Sequence, residues 1–379
     1  MEFNLCFYGL MPDDVNEWIK YWNFKTEIVG NYTNIIIPND INYDCIFDKI
    51  DFKFKYFDGF SPNLNKHLHI GHLSNFIFAK ALQKLDISEK TIAIFGDTLD
   101  GNVKKEDASQ KIKEYLTKFD YHIDDTYFAS EQILLDGILL DGEGEFLGCK
   151  VFNLLDDTKI VGIKSSGETT YFYQDYTLQN KLKSPTLYLT GDEQCNHFGQ
   201  LKKLFPNITH KGLGLVLIDG KKMSSSTGDV IFMEDFLCEM NNQFKGDEYL
   251  AWNVIAGDIL KSSIEGIKNV NKSKLMNIKS SYGLYISYTM ARMFSAGIEK
   301  SDNKDFHSKK LKYLLIKAKL LLQPNILFSG LVDLCKEINY LYETNIIKNN
   351  LENKKMFTIL TDDLILASKK LGLFLVEKV

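Results

Sequence analysis

Features typical of disulfide-stabilised, membrane-spanning or secreted proteins are scarce in this sequence of 379 residues. Its six cysteines are scattered and include no Cys-x-x-Cys pair, which argues against a disulfide framework or a zinc site and favours reduced thiols. No apolar stretch approaches the roughly 20 residues that a membrane helix needs. The first residues lack a basic segment followed by an apolar run, so no signal peptide is predicted. We therefore expect a cytoplasmic protein with no membrane association and no metal site.

An excess of positive charge is also absent, since 45 Lys and Arg stand against 50 Asp and Glu and give a formal net charge of -5. A nucleic-acid partner would have to be attracted by local basic patches rather than by the field of the whole chain. Hydrophobic residues (45%) and charged residues (25%) have the balance of an ordinary globular protein. The length leaves room for a catalytic domain and at least one more.

The first half of the chain alternates short apolar runs with helical periodicity. Buried strands are predicted at residues 91–95, 187–190 and 213–218, and helices at 74–85, 106–119 and 196–204. Strands that alternate with helices indicate a parallel sheet of Rossmann type. Residues 133–151 are predicted to form a helix and then a turn into a hairpin.

Beyond about residue 232 only long amphipathic segments are evident. Helices are predicted at residues 247–265, 272–299, 308–322, 330–345 and 354–373, which together indicate a helical bundle. The predicted fold class is therefore α/β, with a Rossmann-type parallel-sheet catalytic domain followed by an all-α helical-bundle domain. The expected division is a small N-terminal segment (residues 1–52), the catalytic domain (53–232) and the helical domain (233–379).

A loop with two histidines around a glycine leads directly into a helical segment, as His69, Ile70, Gly71 and His72. The glycine allows backbone or ligand to approach closely, and a helix N-terminus favours negative charge. Imidazoles placed there can donate hydrogen bonds to phosphate oxygens as charge develops. A zinc site would want a third ligand at suitable spacing, and none stands out. The loop predicts an anion site, against the alternative of a surface loop with two ordinary histidines.

This His-Ile-Gly-His sequence resembles the ATP-binding motif of class I aminoacyl-tRNA synthetases. The preceding Ser61, Pro62, Asn63 and Lys66 resemble the pattern found before this motif in arginyl-tRNA synthetases. The resemblance covers roughly residue 57 to the end of the chain. Family members usually carry a full extra N-terminal domain, for which only about fifty residues remain here. The resemblance implies that the motif residues bind ATP: His69, Gly71 and His72.

A second motif follows a predicted strand and is bounded by glycines. Lys222, Met223 and Ser224 begin it, and the resemblance implies that they form an ATP-binding loop that closes over the triphosphate. Taken alone, the same residues would suit a solvated basic turn. The usual motif has a lysine where Ser225 stands. Arginyl-tRNA synthetases commonly lack that lysine, and the resemblance implies that Lys66 supplies the charge instead.

Five residues are predicted to bind the amino acid. Tyr171 and Asp175 are four apart and would share a helix face, and an aromatic ring beside a carboxylate suits a guanidinium. The resemblance implies that Gln194 lines the pocket and that Asn63 holds the α-amino end. Asp58 stands where the family usually has a glutamate that contacts the amino acid. Two carboxylates argue for a cationic amino acid, with arginine expected and lysine, citrulline-like or other guanidino amino acids left open.

The helical half carries weaker resemblances. Residues 281–292 resemble part of the anticodon-binding domain of the family, and residues 370–378 resemble its C-terminus. A tyrosine stripe at helical spacing is more often core than a stacking surface, so no anticodon residue is predicted. Ser74 departs from the family, which usually has arginine directly after the sequence His-x-Gly-His-Leu.

The resemblance implies an arginine–tRNA ligase that uses ATP and Mg²⁺ and has tRNA as partner; a monomer is expected. Catalysis is predicted to rely on charge stabilisation by four residues: Lys66, His69, His72 and Lys222. One alternative is a paralogue that activates arginine or a related cationic amino acid for a biosynthetic pathway. A second is a non-catalytic RNA-binding module, against which the intact His69, His72 and Lys222 argue.

Overall fold

The computed structural model describes residues 3–8, 19, 24–37, 54–97, 104–132, 138–154, 156–222, 230–296, 307–344 and 351–379. The chain divides into two compact units. The sheet unit comprises Phe54–Ala251 and Ile264–Ser273. The helical unit comprises Met1–Lys53, Trp252–Ser263 and Lys274–Val379.

The N-terminal strands form a small antiparallel sheet. They are β1 (Phe3–Tyr8), β2 (Lys25–Val29) and β3 (Tyr32–Ile37), in the order β1-β3-β2. The turn between β2 and β3 contains Gly30, whose φ of 60° is readily adopted by glycine.

A five-stranded parallel sheet lies at the centre of the sheet unit. Its strands are β4 (Phe54–Asp58), β5 (Ser88–Phe95), β6 (Asp125–Phe128), β10 (Thr186–Gly191) and β11 (Ile208–Leu213), in the order β11-β10-β4-β5-β6. Its helices are α1 (Ile70–Lys84), α2 (Lys105–Lys118), α3 (Tyr171–Leu182) and α4 (Cys195–Leu204). Ile92, Ala93 and Phe95 are buried, as expected when helices cover both faces of a parallel sheet. The Rossmann-type parallel sheet predicted from the sequence is thus confirmed.

Ligands of open parallel sheets bind beyond the carboxyl ends of the strands. Here β4 and β10 are neighbours, with Asp58 paired in register with Tyr188. Asp58 therefore ends its strand at the edge where a site is expected.

Short strands complete the sheet unit. Strands β7 (Leu140–Asp141), β8 (Lys150–Asn153) and β9 (Lys159–Ile163) form an antiparallel sheet, and β12 (Val216–Ile218), β13 (Lys221–Lys222) and β14 (Lys268–Val270) form another three-stranded sheet. The β7–β8 pairing confirms the hairpin predicted within residues 133–151. No α-helix is present over residues 138–151, where Gly144–Phe146 form a single 3-10 turn, and residues 133–137 lie outside the described ranges.

The single strand predicted at residues 213–218 is wrong, because β11 and β12 belong to different sheets. Gly214 separates them and donates its N–H to Ile264 O at 3.0 Å. A Cβ on Gly214 would lie 2.3 Å from the carbonyl oxygens of Glu265 and Gly266, so only glycine allows this approach.

Helices follow from residue 233 onward. They are α5 (Met233–Gln243), α6 (Glu248–Leu260), α7 (Lys272–Leu275), α8 (Tyr282–Ser295), α9 (Lys309–Leu320), α10 (Pro324–Glu343) and α11 (Leu351–Lys370). The one helix predicted at residues 272–299 is wrong, because Ser281 starts a new helix by accepting a hydrogen bond from Leu284 N–H. The three-residue strand β14 was also missed. None of the helices in the described ranges is long and apolar enough to cross a membrane.

Two glycines and two polar side chains organise the helical unit. A Cβ on Gly257 would lie 2.5 Å from Gly283 Cα, so α8 packs directly against the residues of α6 that belong to this unit. Trp252 Nε1 donates to Gly372 O at 3.1 Å. Asn253 is fully buried, donates to Phe374 O and accepts from Phe374 N–H, both at 2.8 Å.

Candidate active site

A cavity of about 500 Å³ lies within the sheet unit, where the ends of β4 and β10 meet the N-terminus of α1. That volume is typical of a small-molecule site. The residues predicted from the sequence that line it are Asp58, Asn63, Lys66, His69, Gly71, His72 and Gln194. The cavity thus joins the first motif to much of the predicted amino-acid pocket.

The two histidines of the first motif cap α1 reciprocally. Gly71 N–H donates to His69 Nδ1, and His69 N–H donates to His72 Nδ1, both at 3.1 Å. This is a capping box in which imidazoles replace the usual serine and glutamate. The substitution explains why the helix predicted from residue 74 begins at Ile70, since imidazole nitrogens are not among the usual start signals.

Both histidines therefore offer one remaining hydrogen-bond donor each. Because each Nδ1 accepts a hydrogen bond, the proton of the neutral ring resides on Nε2. Burial and the positive charge of Lys66 lower the pKa of His69. Burial, together with His69 and Lys66, lowers the pKa of His72 to about 4. Near neutral pH the pair consists of uncharged donors at a helix N-terminus, an arrangement suited to an anion.

The loop before the helix is anchored to the end of β5. Leu64 N–H donates to Gly96 O at 2.8 Å, and Asn63 forms a bridge with Gly96. A Cβ on Gly96 would lie 2.0 Å from Asn63 Oδ1, so glycine is required for this contact. Lys66 is exposed, lines the cavity and acts on both histidines through its charge.

Asp58 is a buried carboxyl group at the cavity wall. It is 4% exposed and accepts a hydrogen bond from Ser61 Oγ. Burial raises its pKa to about 7; the Ser61 hydrogen bond opposes that rise, and the charge of Asp175 adds to it. Asp58 therefore changes charge close to neutral pH.

Tyr171 and Asp175 share helix α3 but have different surroundings. Tyr171 is its first residue and is 67% exposed, whereas the Asp175 side chain is 17% exposed and bonded to His197. Neither residue lines the cavity. Asp175 is nevertheless close enough to Asp58 to act on its pKa.

The chain that follows the second motif reaches the same cavity, whereas the described part of the motif does not line it. Lys222 ends β13 and is exposed, without lining the cavity; Met223 and Ser224 lie outside the described residues. Where the description resumes, Val230 lines the cavity. Ile70 N–H donates to Ile231 O at 3.1 Å, so the chain that follows the second motif is hydrogen-bonded to the start of the helix carrying the first.

Some residues at the site were not predicted. Ser74 and Asn75 of α1 line the cavity, and Asn75 Nδ2 donates to Leu189 O at 3.3 Å. The bond between His197 and Asp175 was also missed, although Asp175 was a predicted site residue and His197 lies in the helix predicted at residues 196–204. Among the residues that the structure describes, no group of three or more His, Cys, Asp or Glu side chains is placed to hold a metal ion.

Comparisons with known proteins point to one family. No family model matches the chain. It is 26% identical over 262 residues to the arginine–tRNA ligase of Oenococcus oeni, covering 56% of this chain and 46% of that protein. It is 25% identical over 278 residues to that of Lactobacillus johnsonii, covering 61% and 50%. The chain thus spans about half the length of these relatives.

Solved structures agree in fold. The arginyl-tRNA synthetase of Thermus thermophilus aligns over 94% of this chain and 88% of its own, with a TM-score of 0.64 and 14% identity. That of Plasmodium falciparum aligns over 100% and 95%, with a TM-score of 0.60 and 14% identity. The predicted fold class is confirmed, and so is the predicted resemblance to arginyl-tRNA synthetases.

Proposed function

We propose that this chain, a relative of arginyl-tRNA synthetases, activates arginine with ATP and transfers it to tRNA. The observation that carries the proposal is a single cavity with neutral histidine donors at a helix N-terminus and a buried carboxyl group on another wall. The histidine donors suit the phosphates of ATP, and the carboxyl group suits the cationic side chain of arginine.

The nucleotide is proposed to place its phosphates at the N-terminus of α1. His69 and His72 would donate their Nε2–H groups to phosphate oxygens, and Lys66 would add a positive charge. Gly71 would let the nucleotide lie against the helix backbone. Lys222, Met223 and Ser224 would cover the phosphates from the second motif.

Arginine is proposed to lie across the ends of β4 and β10. Asp58 and Asp175 supply the negative charge that a cationic amino acid needs. Asn63 and Gln194 supply polar contacts at the cavity wall. Tyr171 remains a proposed contact for the guanidinium from the first turn of α3.

The proposed reaction has two steps. An oxygen of the arginine carboxylate attacks the α-phosphorus of ATP, and the bond from that phosphorus to the leaving pyrophosphate breaks, which leaves arginyl-adenylate. A hydroxyl of the terminal ribose of tRNA then attacks the carbonyl carbon, and AMP leaves. Negative charge builds up on the leaving pyrophosphate during the first step. The hydrogen-bond donors at the N-terminus of α1 would stabilise that charge and so lower the activation barrier. Mg²⁺ would accompany the triphosphate as its counter-ion.

The tRNA is proposed to be bound partly by the helical unit, as an extension of the resemblance over residues 281–292. A cytoplasmic location fits the scattered cysteines, and a monomer stays a prediction. The paralogue alternative retains one supporting observation: Asp58 is a methylene shorter than the glutamate usual in the family, which changes the reach of the amino-acid pocket.

Pyrophosphate exchange tests the proposal. We expect ATP–pyrophosphate exchange that depends on arginine, measured with and without tRNA, and charging of tRNA with arginine. His72→Ala should reduce exchange by about 100-fold, the loss typical of removing one donor to developing charge. His122→Ala is the matched control, because His122 is exposed and does not line the cavity.

The outcomes separate the alternatives. Exchange with arginine but no charging of any tRNA would favour the biosynthetic paralogue. Nucleotide binding without exchange for any cationic amino acid, whatever the tRNA supply, would contradict the proposal and favour a non-catalytic module.

A further inference from the structure

Asp175 is held by a histidine from the next helix along the chain. His197 Nε2 lies 2.6 Å from Asp175 Oδ2, and the two side chains are 22% and 17% exposed. The bond joins α3 to α4 at the side of the sheet where β10 ends.

The imidazole is itself fixed by aromatic packing. Its ring lies edge-on to Phe172 at 5.6 Å and to Phe198 at 5.0 Å between ring centroids. Both phenylalanines belong to a buried hydrophobic cluster. A ring confined in this way presents its nitrogen in one direction, and the carboxylate that it binds has little freedom to rotate.

The carboxylate has one oxygen occupied and one open. His197 contacts Oδ2, and across the described part of the chain no other donor is bonded to Asp175. Burial is the main cause of the raised pKa of Asp58 and of Tyr188, and the charge of Asp175 adds to both rises, so that charge is felt at the cavity.

A histidine suits this position for a physical reason. A lysine or arginine bonded to Asp175 would neutralise its charge and repel a cationic substrate. An imidazole with its proton on Nε2 can donate one hydrogen bond without a formal charge. It can therefore orient the carboxylate and leave its attraction for a cation intact.

We propose that His197 is a positioning residue for substrate recognition: it holds Oδ2 of Asp175 so that Oδ1 faces the cationic side chain of the amino acid. This inference rests on the proposed function. It assigns His197 no contact with the substrate and no role in proton transfer.

A matched pair of variants tests the inference. In His197→Gln the amide nitrogen takes the place of Nε2 and retains the hydrogen bond. In His197→Asn it takes the place of Nδ1 and cannot reach Asp175. Both variants lose the ring's packing, so that loss cancels in the comparison. Since a hydrogen bond to a charged group is worth about 1.5–3 kcal/mol, the KM for arginine should be about 10–100-fold higher in the asparagine variant.

Three further measurements would reveal whether His197 has only a structural role. We expect the KM for ATP, kcat and the melting temperature to be similar in the two variants. Equal arginine KM values in the two variants would overturn the inference, as would parallel increases in the KM for arginine and ATP.

The proposed function is judged separately, by the wild-type protein. If the wild type shows no arginine-dependent exchange, the proposed function fails. Arginine binding by calorimetry to the wild type and both variants then decides the inference alone. Binding lost in the asparagine variant and retained in the glutamine variant supports it, and any other pattern, including no binding to the wild type, overturns it.

Discussion

Replacing Gly71 by alanine should separate stability from catalysis. A Cβ at this position would lie 2.8 Å from His69 Cε1 and 3.0 Å from His69 Nδ1, closer than real Cβ contacts allow. The imidazole must therefore rotate away. It then loses the hydrogen bond from Gly71 N–H, and its ring leaves the position that it holds at the cavity.

Gly71→Ala should change the free energy of unfolding through two contributions of opposite sign. Loss of an N-cap hydrogen bond costs about 1 kcal/mol, whereas glycine to alanine within a helix gains about 1 kcal/mol. The free energy of unfolding should therefore change by less than about 1 kcal/mol. The rate has no such compensation, since displacing one donor from developing phosphate charge lowers kcat by about 100-fold.

Urea unfolding and arginine-dependent pyrophosphate exchange measure the two effects on the same protein. Gly199→Ala is the matched control, because Gly199 lies within α4 and an added Cβ there meets nothing within 4 Å. It should gain up to about 1 kcal/mol of stability and keep its activity. Wild-type kcat in Gly71→Ala would refute the role given to His69. A loss of activity explained by unfolding would refute the compensation.

Two further predictions concern buried polar groups. Burial raises the pKa of Asp58 from 3.8 to about 7, so between these pH values the folded protein binds more protons than the unfolded chain. The free energy of unfolding should therefore fall as pH rises across that window. Asp58→Asn should flatten this dependence in urea unfolding measured at several pH values, and an unchanged slope would contradict the assignment. Asn253→Ala should lower the free energy of unfolding by about 2–4 kcal/mol, because the N–H and C=O groups of Phe374 lose their hydrogen-bond partner. A loss below about 0.5 kcal/mol, measured by urea titration, would show that water replaces the amide.

Local periodicity predicted most helices, because helices depend on residues close in sequence, and the alternation of strands with helices predicted the parallel sheet. The strand at β5 and the helices α2 and α4 were predicted within a few residues. The strand break at Gly214 was missed because its cause is the distant backbone at Glu265 and Gly266. A sequence pattern cannot report a contact fifty residues away.

The candidate site likewise has features that the sequence predicted and features that depend on the folded chain. His69 and His72 were predicted from the loop that leads into a helix and from the resemblance of their motif, but their reciprocal capping depends on side-chain rotamers that a sequence motif does not specify. The position of Asp175 beside His197 depends on how α3 packs against α4. The raised pKa of Asp58 depends on burial, which only the folded chain defines.

The charge state of Asp58 bears on how the proposed substrates share one cavity. ATP carries several negative charges, and an ionised carboxylate in the same cavity would repel them. A pKa of about 7 means that Asp58 is largely protonated just below neutral pH and does not oppose the nucleotide. Arginine brings positive charge to the same cavity, which lowers the pKa of Asp58 and favours release of its proton. If calorimetry in buffers of different ionisation enthalpy shows no proton release when arginine binds at pH 6.5, Asp58 does not face the substrate's charge.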